Sequence, residues 1–493
     1  MSEKKMELTP LKIRSHGTSS VMHYDERYTP YIEMTGLLPF VQLVSRSTPN
    51  LNAVAVTALI DRWRPETHSF HLRTGEMTVT LQDVSMITAL PIEGKPLCMS
   101  TDSEGWRQQM EALIGMSPQE PEVEDGGKKD RVPAGATFTW IAANFAHFPE
   151  DADDEVIQRY ARVYMWYIIS RTIFADDTGK NAPWMWLKAL IVFDNKFSWG
   201  SAALAYLYRQ LDDACRRTTK DGGVGGCMLL LSVWSWERLP VGRPKISQWN
   251  TWDDHGNPVE WEPYGVGTNF GDAHTFELNP LCVQERHLWL MRCPLICNWA
   301  VEFHLPHRVM RQFGYFQPHP SEWVDTDTQL HRLDRRRQRK IKDWQKHHKS
   351  YVVMFEQSVQ ATSSIQRTQY RQHCVLAFSN YLRWFQESTR VEICLPAYEE
   401  DILEEPTEYD ALAQGGYSKL IREGYQTSFA PVLNFVRKEV KKQADESEDI
   451  LDNTPGGQKG ESALRLFIKV LCHYYYFAHE CNIIGYLIYV IYI

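Results

Sequence analysis

No C-x-x-C pair occurs in this chain, although it holds ten cysteines. Cys293 and Cys297 stand closest, with three residues between them. Scattered thiols in 493 residues argue against a disulfide framework and for reduced, intracellular cysteine. The opening MSEKKMELTPLKIRSHG has no apolar stretch, so a secretory leader is not expected. Net positive charge is missing too. Fifty-three basic against 62 acidic residues leave −9, which excludes a global attraction to nucleic acid or an anionic membrane. Any such binding must come from a local patch. Within the apolar-rich Val470–Ile493, only the eleven residues Ile483–Ile493 are free of charged and strongly polar groups. A membrane span needs about twenty, so no membrane association is expected, and this tail reads as a poorly integrated appendage.

Complete catalytic motifs are absent as well. No G-x-S-x-G, no H-E-x-x-H and no G-x-x-x-x-G-K-[ST] string appears, and Gly222–Gly226 reads as a flexible joint, not a phosphate loop. His68 and His71 are placed on a strand, where alternation would turn them to opposite faces. His304 and His307 bracket Pro306, and His479-Glu480 lacks the second histidine of a zinc helix. A metal centre needs three or four convergent ligands, so none is expected. No residue set for pyridoxal phosphate is identifiable: Lys188 lies among tryptophans and Lys196 in a turn, neither near a phosphate cup. The reading is therefore no cofactor, no metal and no catalytic residue.

What is present is apolar and aromatic surface for a large core: 43% hydrophobic residues, 17 tryptophans and 23 tyrosines. Periodicity changes three times between Thr57 and Leu97. Leu51, Val54, Ala58 and Leu59 recur at helical spacing, and Pro65 stops that helix. His68–Leu72 and Met77–Thr80 flank Gly75 as two short strands. Thr80 with Asp83 reads as a capping start for a helix that ends before Pro91. Downstream, helices are expected at Asp154–Phe174, Trp184–Phe193, Trp199–Cys215, Cys227–Trp236, Pro306–Phe313 and Ser364–Glu387. Leu288–Phe303 is a strand or short buried segment, and Pro240–Pro280 a long packed loop. The fold class is mainly α with a small β-hairpin element. Residues 1–30 form a loosely ordered N-terminus and 31–390 one large helical domain. Residues 391–469 are a flexible acidic region, followed by the apolar tail 470–493.

Two charged groups stand out. Asp61, Arg62, Trp63 and Arg64 mix charge with an aromatic beside a helix-ending proline, which favours a buried Asp–Arg pair with an arginine stacked on tryptophan. His331–Lys349 holds nine basic residues against two aspartates. On one long helix, Leu330–Phe355, an apolar stripe would leave Arg335, Arg336, Arg337, Arg339, Lys340 and Lys342 in solvent. Such a cluster suits nucleic acid or an import receptor.

The strings DRWRPETHSFHL and GEMTVTLQDVSMITALPIEG, with TGLLPFVQL at Thr35–Leu43, FSWGSAALAYLYRQL at Phe197–Leu211 and SVWSWERLPVGRP at Ser232–Pro244, resemble the plant mobile domain. RVMRQFG at Arg308–Gly314 and NYLRWFQESTR at Asn380–Arg390 extend the resemblance over residues 35–390. It implies a nuclear interaction protein without enzymatic activity, in meristem maintenance, control of gene expression and transposon silencing, with protein partners that include a phosphatase-like protein. The rivals are a transposon-derived nucleic-acid-binding protein and a relic enzyme, and the cytoplasm is the alternative location.

Overall fold

The computed structural model describes residues 10–13, 22–46, 49–72, 74–119, 133–216, 222–239, 261–264, 279–320, 341–363 and 370–388. The chain divides into two compact units: residues 1–70, 76–317 and 326–373 in the first, and 71–75, 318–325 and 374–493 in the second. The expectations for 391–469 and 470–493 lie outside the described residues.

The first unit is mainly helical. Its helices are α1 (Thr29–Thr35), α2 (Leu38–Arg46), α3 (Ala53–Ile60), α4 (Leu81–Thr88), α5 (Trp106–Ile114), α6 (Phe138–Phe145), α7 (Asp154–Arg171), α8 (Trp184–Lys188), α9 (Trp199–Cys215) and α10 (Met228–Arg238). Two of them are hubs. Apolar and aromatic residues surround α7 on every side, so Ala161–Ser170 is buried without a break and α1, α5, α6 and α8 pack around it. The other hub, α9, meets α4 and the later sheets.

Small sheets pin the helices. β1 (Lys12–Ile13) runs parallel to β7 (Gly223–Val224), and β5 (Gly135–Thr137) pairs antiparallel with β6 (Asn181–Pro183). A three-stranded sheet has the order β2 (Trp63–Arg64), β3 (Ser69–Leu72), β4 (Gly75–Met77). Finally β8 (Cys293–Cys297) and β9 (Ala300–His304) form a hairpin against α9, and the helix Lys349–Ser363 packs on β8.

The start of α9 is tied to the chain leaving α4. Gly200 N–H donates to Pro91 O (2.7 Å), and Ser198 and Ser201 hydroxyls both donate to Ile92 O (2.6 and 3.2 Å). A β-carbon at position 200 would lie 2.8 Å from Ile92 Cγ2 and 2.9 Å from Val84 Cγ1. Only glycine lets these backbones approach so closely.

Several sequence expectations are revised. Among the described residues of 1–30, Leu11, Met22 and Tyr28 are buried in the core. The helix expected over Trp184–Phe193 ends at Lys188, beyond which Ile191 and Val192 are exposed. Pro306–Phe313 is two 3-10 turns, because Val309 breaks the run at φ −128°, ψ 34°. Leu288–Phe303 is a hairpin, turned where Asn298 adopts φ +50°. The basic segment is not one helix in its described part. Asp343 pairs with Ser100 as an isolated bridge and caps a short helix, Trp344–His347, that ends at His348 before Lys349–Ser363 begins.

In the second unit, the helix Val375–Ser388 buries Tyr381 and Phe385. His71 meets the Phe385 ring at 5.1 Å, and His319 stacks on Trp384 at 5.2 Å.

Candidate functional site

A buried polar cluster of the first unit is assembled from three distant elements. Helical spacing puts Tyr208 and Asp212 on one face of α9, with Arg209 adjacent. Strand alternation turns Glu302 and His304 of β9 to one side, and both are wholly buried. His68 comes from the turn between β2 and β3. It is held at φ +48°, a left-handed conformation costly for a residue with a β-carbon.

His68 Nε2 lies 2.9 Å from Glu302 Oε2 and 3.7 Å from Asp212 Oδ2. His68, Asp212 and Glu302 each offer one ligand atom, all within 4.8 Å of one another. All three residues are 0–1% exposed. Each is also held from behind. His68 Nδ1–H donates to Phe303 O (3.0 Å), Trp63 Nε1–H to Asp212 Oδ1 (2.6 Å) and Arg209 Nε–H to Glu302 Oε1 (2.5 Å). Rings of Trp63 (6.1 Å) and Tyr208 (4.9 Å) flank the imidazole. Burial alone would push the His68 imidazole down. The facing carboxylates of Asp212 and Glu302 outweigh burial and hold it up at about 10. As an imidazolium, His68 closes a quartet with Arg209 and the two carboxylates that sums to zero charge.

Two further ion pairs lie in the same core. Asp83, the third residue of α4 and the partner of N-cap Thr80 in its capping box, receives Thr80 N–H (2.8 Å) and the Thr80 hydroxyl (2.7 Å) on Oδ2. On Oδ1 it receives Arg238 Nε (2.9 Å) and Nη2 (2.7 Å) and the Tyr264 hydroxyl (3.1 Å). Burial, then the Asp83 charge, holds the Tyr264 phenol well above its usual range, so it remains a donor. Glu76 accepts Arg308 Nε (2.9 Å) and Nη2 (2.7 Å) on Oε1, with Ser69 Oγ at 3.1 Å. Gln312 brackets Thr78, accepting from its N–H (2.8 Å) and donating to its O (2.9 Å). The segment 261–264 is fastened by Arg238 to Trp261 O and by the Arg311–Glu262 pair.

The residues singled out from sequence fare unevenly. Asp61 ends α3 as its C-cap, and Arg62 donates to Ala58 O (2.7 Å). Trp63 and Arg64 form β2, pairing with Phe70 and Ser69. Trp63 ties this tetrad to the cluster through its bond to Asp212. Arg335, Arg336, Arg337, Arg339 and Lys340 lie outside the described residues. Lys342 is exposed, on an extended segment, with Nζ 3.2 Å from Asp102. The expectation that no His, Asp and Glu side chains would converge does not hold. The alternation argument misplaced His68, which precedes the strand in a left-handed turn. No local motif could have shown the set, because its members come from three separate segments of the chain.

No helix among the described residues is long and apolar enough to cross a membrane. No solved structure matches the chain. The plant mobile domain family matches residues 39–259 and 247–386. Among curated relatives from Arabidopsis thaliana, Serine/threonine-protein phosphatase 7 long form homolog is 31% identical over 384 residues, 69% of this chain and 27% of that protein. Protein MAIN-LIKE 2 is 31% identical over 318 residues, 59% of this chain and 45% of that protein. Protein MAINTENANCE OF MERISTEMS is 32% identical over 301 residues, 55% of this chain and 59% of that protein. The chain thus spans between about a quarter and three-fifths of the length of the relatives it matches.

Proposed function

Because the chain belongs to the plant mobile domain family, we propose that it is a non-enzymatic interaction protein of the nucleus, acting in meristem maintenance, control of gene expression and transposon silencing. One observation supports the non-enzymatic part. The convergent His68, Asp212 and Glu302 are 0–1% exposed and their charge is closed by Arg209, whereas an acid–base catalyst must reach its substrate. Sealed and compensated groups of this kind organise a core.

The partner class we propose is a phosphatase-like protein. A relative whose name is that of a serine/threonine phosphatase homolog shares this module over 27% of its length, so most of that chain lies outside it. A module joined to other segments in one protein is a natural candidate to meet their equivalents as separate chains elsewhere. The basic run from Arg335 to Lys342 is our proposed contact for an import receptor or for nucleic acid.

The test combines two measurements. A fluorescent fusion of the full chain should accumulate in plant nuclei, and the purified chain should not hydrolyse generic phosphate or carboxylate esters. Ester turnover that is abolished by Asp212→Asn in a folded protein would refute the non-enzymatic reading. Exclusion of the fusion from nuclei would refute the location.

A further inference from the structure

His68, Asp212 and Glu302 turn three ligand-type atoms toward one another in a buried place. Two buried carboxylate oxygens that face an imidazole nitrogen favour a cation shared between them. A proton on His68 Nε2 is one solution. The arrangement of the side chains points to a second.

We propose that His68 Nε2, Asp212 Oδ2 and Glu302 Oε2 ligate a first-row divalent transition-metal ion, zinc in first place, as a structural centre. It would join α9, the β8–β9 hairpin and the turn before β3.

Three observations support this. The first is convergence. Nε2 stands 2.9 and 3.7 Å from the two carboxylate oxygens, and the three ligand atoms fit within 4.8 Å. An ion at about 2.1 Å from each ligand of a tetrahedron sets neighbouring ligand atoms about 3.4 Å apart, between those two distances. The second is the outer layer. Metal-binding histidines donate their other ring N–H to a carbonyl or carboxylate, and ligating carboxylates are themselves hydrogen-bonded. Here Phe303 O takes the Nδ1 proton, while Trp63 and Arg209 hold Oδ1 and Oε1, the atoms on the far side of each carboxylate. Every ligand is thus oriented by a group that does not occupy the ligating atom. The third is His68 itself, kept in a left-handed backbone at φ +48°. Strain of that kind is retained where a side chain has to be aimed.

Donor type selects among ions. Calcium takes six to eight oxygens, and magnesium prefers six oxygens with several waters, which a tightly buried site with an imidazole does not offer. Imidazole with carboxylate suits zinc and its neighbours. The sealed position leaves no opening for substrate, so the centre is structural, and a water trapped with the ion as the chain folds would complete the tetrahedron.

The test uses the full chain produced in zinc-supplemented medium, then desalted and measured by plasma mass spectrometry. About one zinc per chain should be retained. Asp212→Asn should lower it at least fivefold, and the surface variant His147→Gln should leave it unchanged. Chelation during refolding should lower the melting temperature by several degrees, and added zinc should restore it. Cobalt substituted into the wild type should show visible bands of nitrogen and oxygen coordination, which decides the matter alone if Asp212→Asn fails to fold. Zinc at background level, a melting temperature indifferent to chelation, or a thiolate-to-cobalt band would each overturn the proposal, leaving a proton on His68 between the two carboxylates.

Discussion

Asp83 and Arg238 make the sharpest quantitative case, because both are 0% exposed and each is the other's main counter-charge. At a nitrogen–oxygen distance of 2.7 Å the charge centres lie about 4 Å apart, worth roughly 4 kcal/mol at an effective dielectric of 20. That attraction is largely offset by the cost of taking both ions out of water. The pair as a whole is therefore close to neutral, but either half alone is not. Arg238→Met should destabilise by about 3–5 kcal/mol, since it strands a buried carboxylate. Asp83→Asn should cost a similar amount, because it strands the guanidinium and weakens the capping box of α4. The double variant should cost at least about 2 kcal/mol less than the sum of the two. Urea unfolding followed by tryptophan fluorescence, with all four proteins at one pH and salt concentration, gives the cycle. Additivity within about 0.5 kcal/mol would refute the claim that these charges are coupled.

Other outcomes follow from the same core. Gly200→Ala should destabilise by about 1–2 kcal/mol in the same assay, since the clash with Ile92 and Val84 outweighs the roughly 1 kcal/mol that alanine gains in a helix; a rise in stability would sink that reasoning. His348 stacks on Trp344 at 5.4 Å, and burial, then neighbouring His347, pushes it down to about 4. The folded chain therefore resists a proton that the unfolded chain takes up, so stability present above about pH 6.5 is lost as pH falls toward 4. The loss is at most about 3 kcal/mol, and His348→Asn should flatten the slope of stability against pH in that window. Replacing Arg335, Arg336, Arg337 and Arg339 by glutamine should abolish nuclear accumulation of a fluorescent fusion while leaving the melting temperature unchanged; undiminished accumulation would dismiss the run as an import signal.

How much of this was legible before the structure depends on range. Signals that act within a turn or two were readable. Thr80 and Asp83 announce the start of α4, and the apolar spacing of Trp199–Cys215 matches α9 at both ends. The β8–β9 turn was not, because its only cue is a single Asn298, a residue that tolerates the left-handed region but does not require it. The basic segment misled for the opposite reason. An apolar stripe fits a long helix, yet Asp343 caps a new one after an extended stretch that bonds to Thr101 and pairs with Ser100. The cluster around His68 was invisible. Phe303, which orients it, lies 235 residues downstream, and no periodicity connects such positions.

The long reach of these ion pairs also sets an order of events during synthesis. Glu76 meets Arg308 across 232 residues, and Asp83 meets Arg238 across 155. At about 5–20 residues per second, Glu76 leaves the ribosome roughly ten to fifty seconds before its partner exists. Through that interval the hairpin around Gly75 cannot settle in its native environment without stranding a carboxylate. The nascent chain must keep it wet or hand it to a chaperone, and it commits to the fold only when the β8–β9 region arrives. Slow-codon stretches or truncations placed before residue 308 should therefore be unusually harmful to soluble yield.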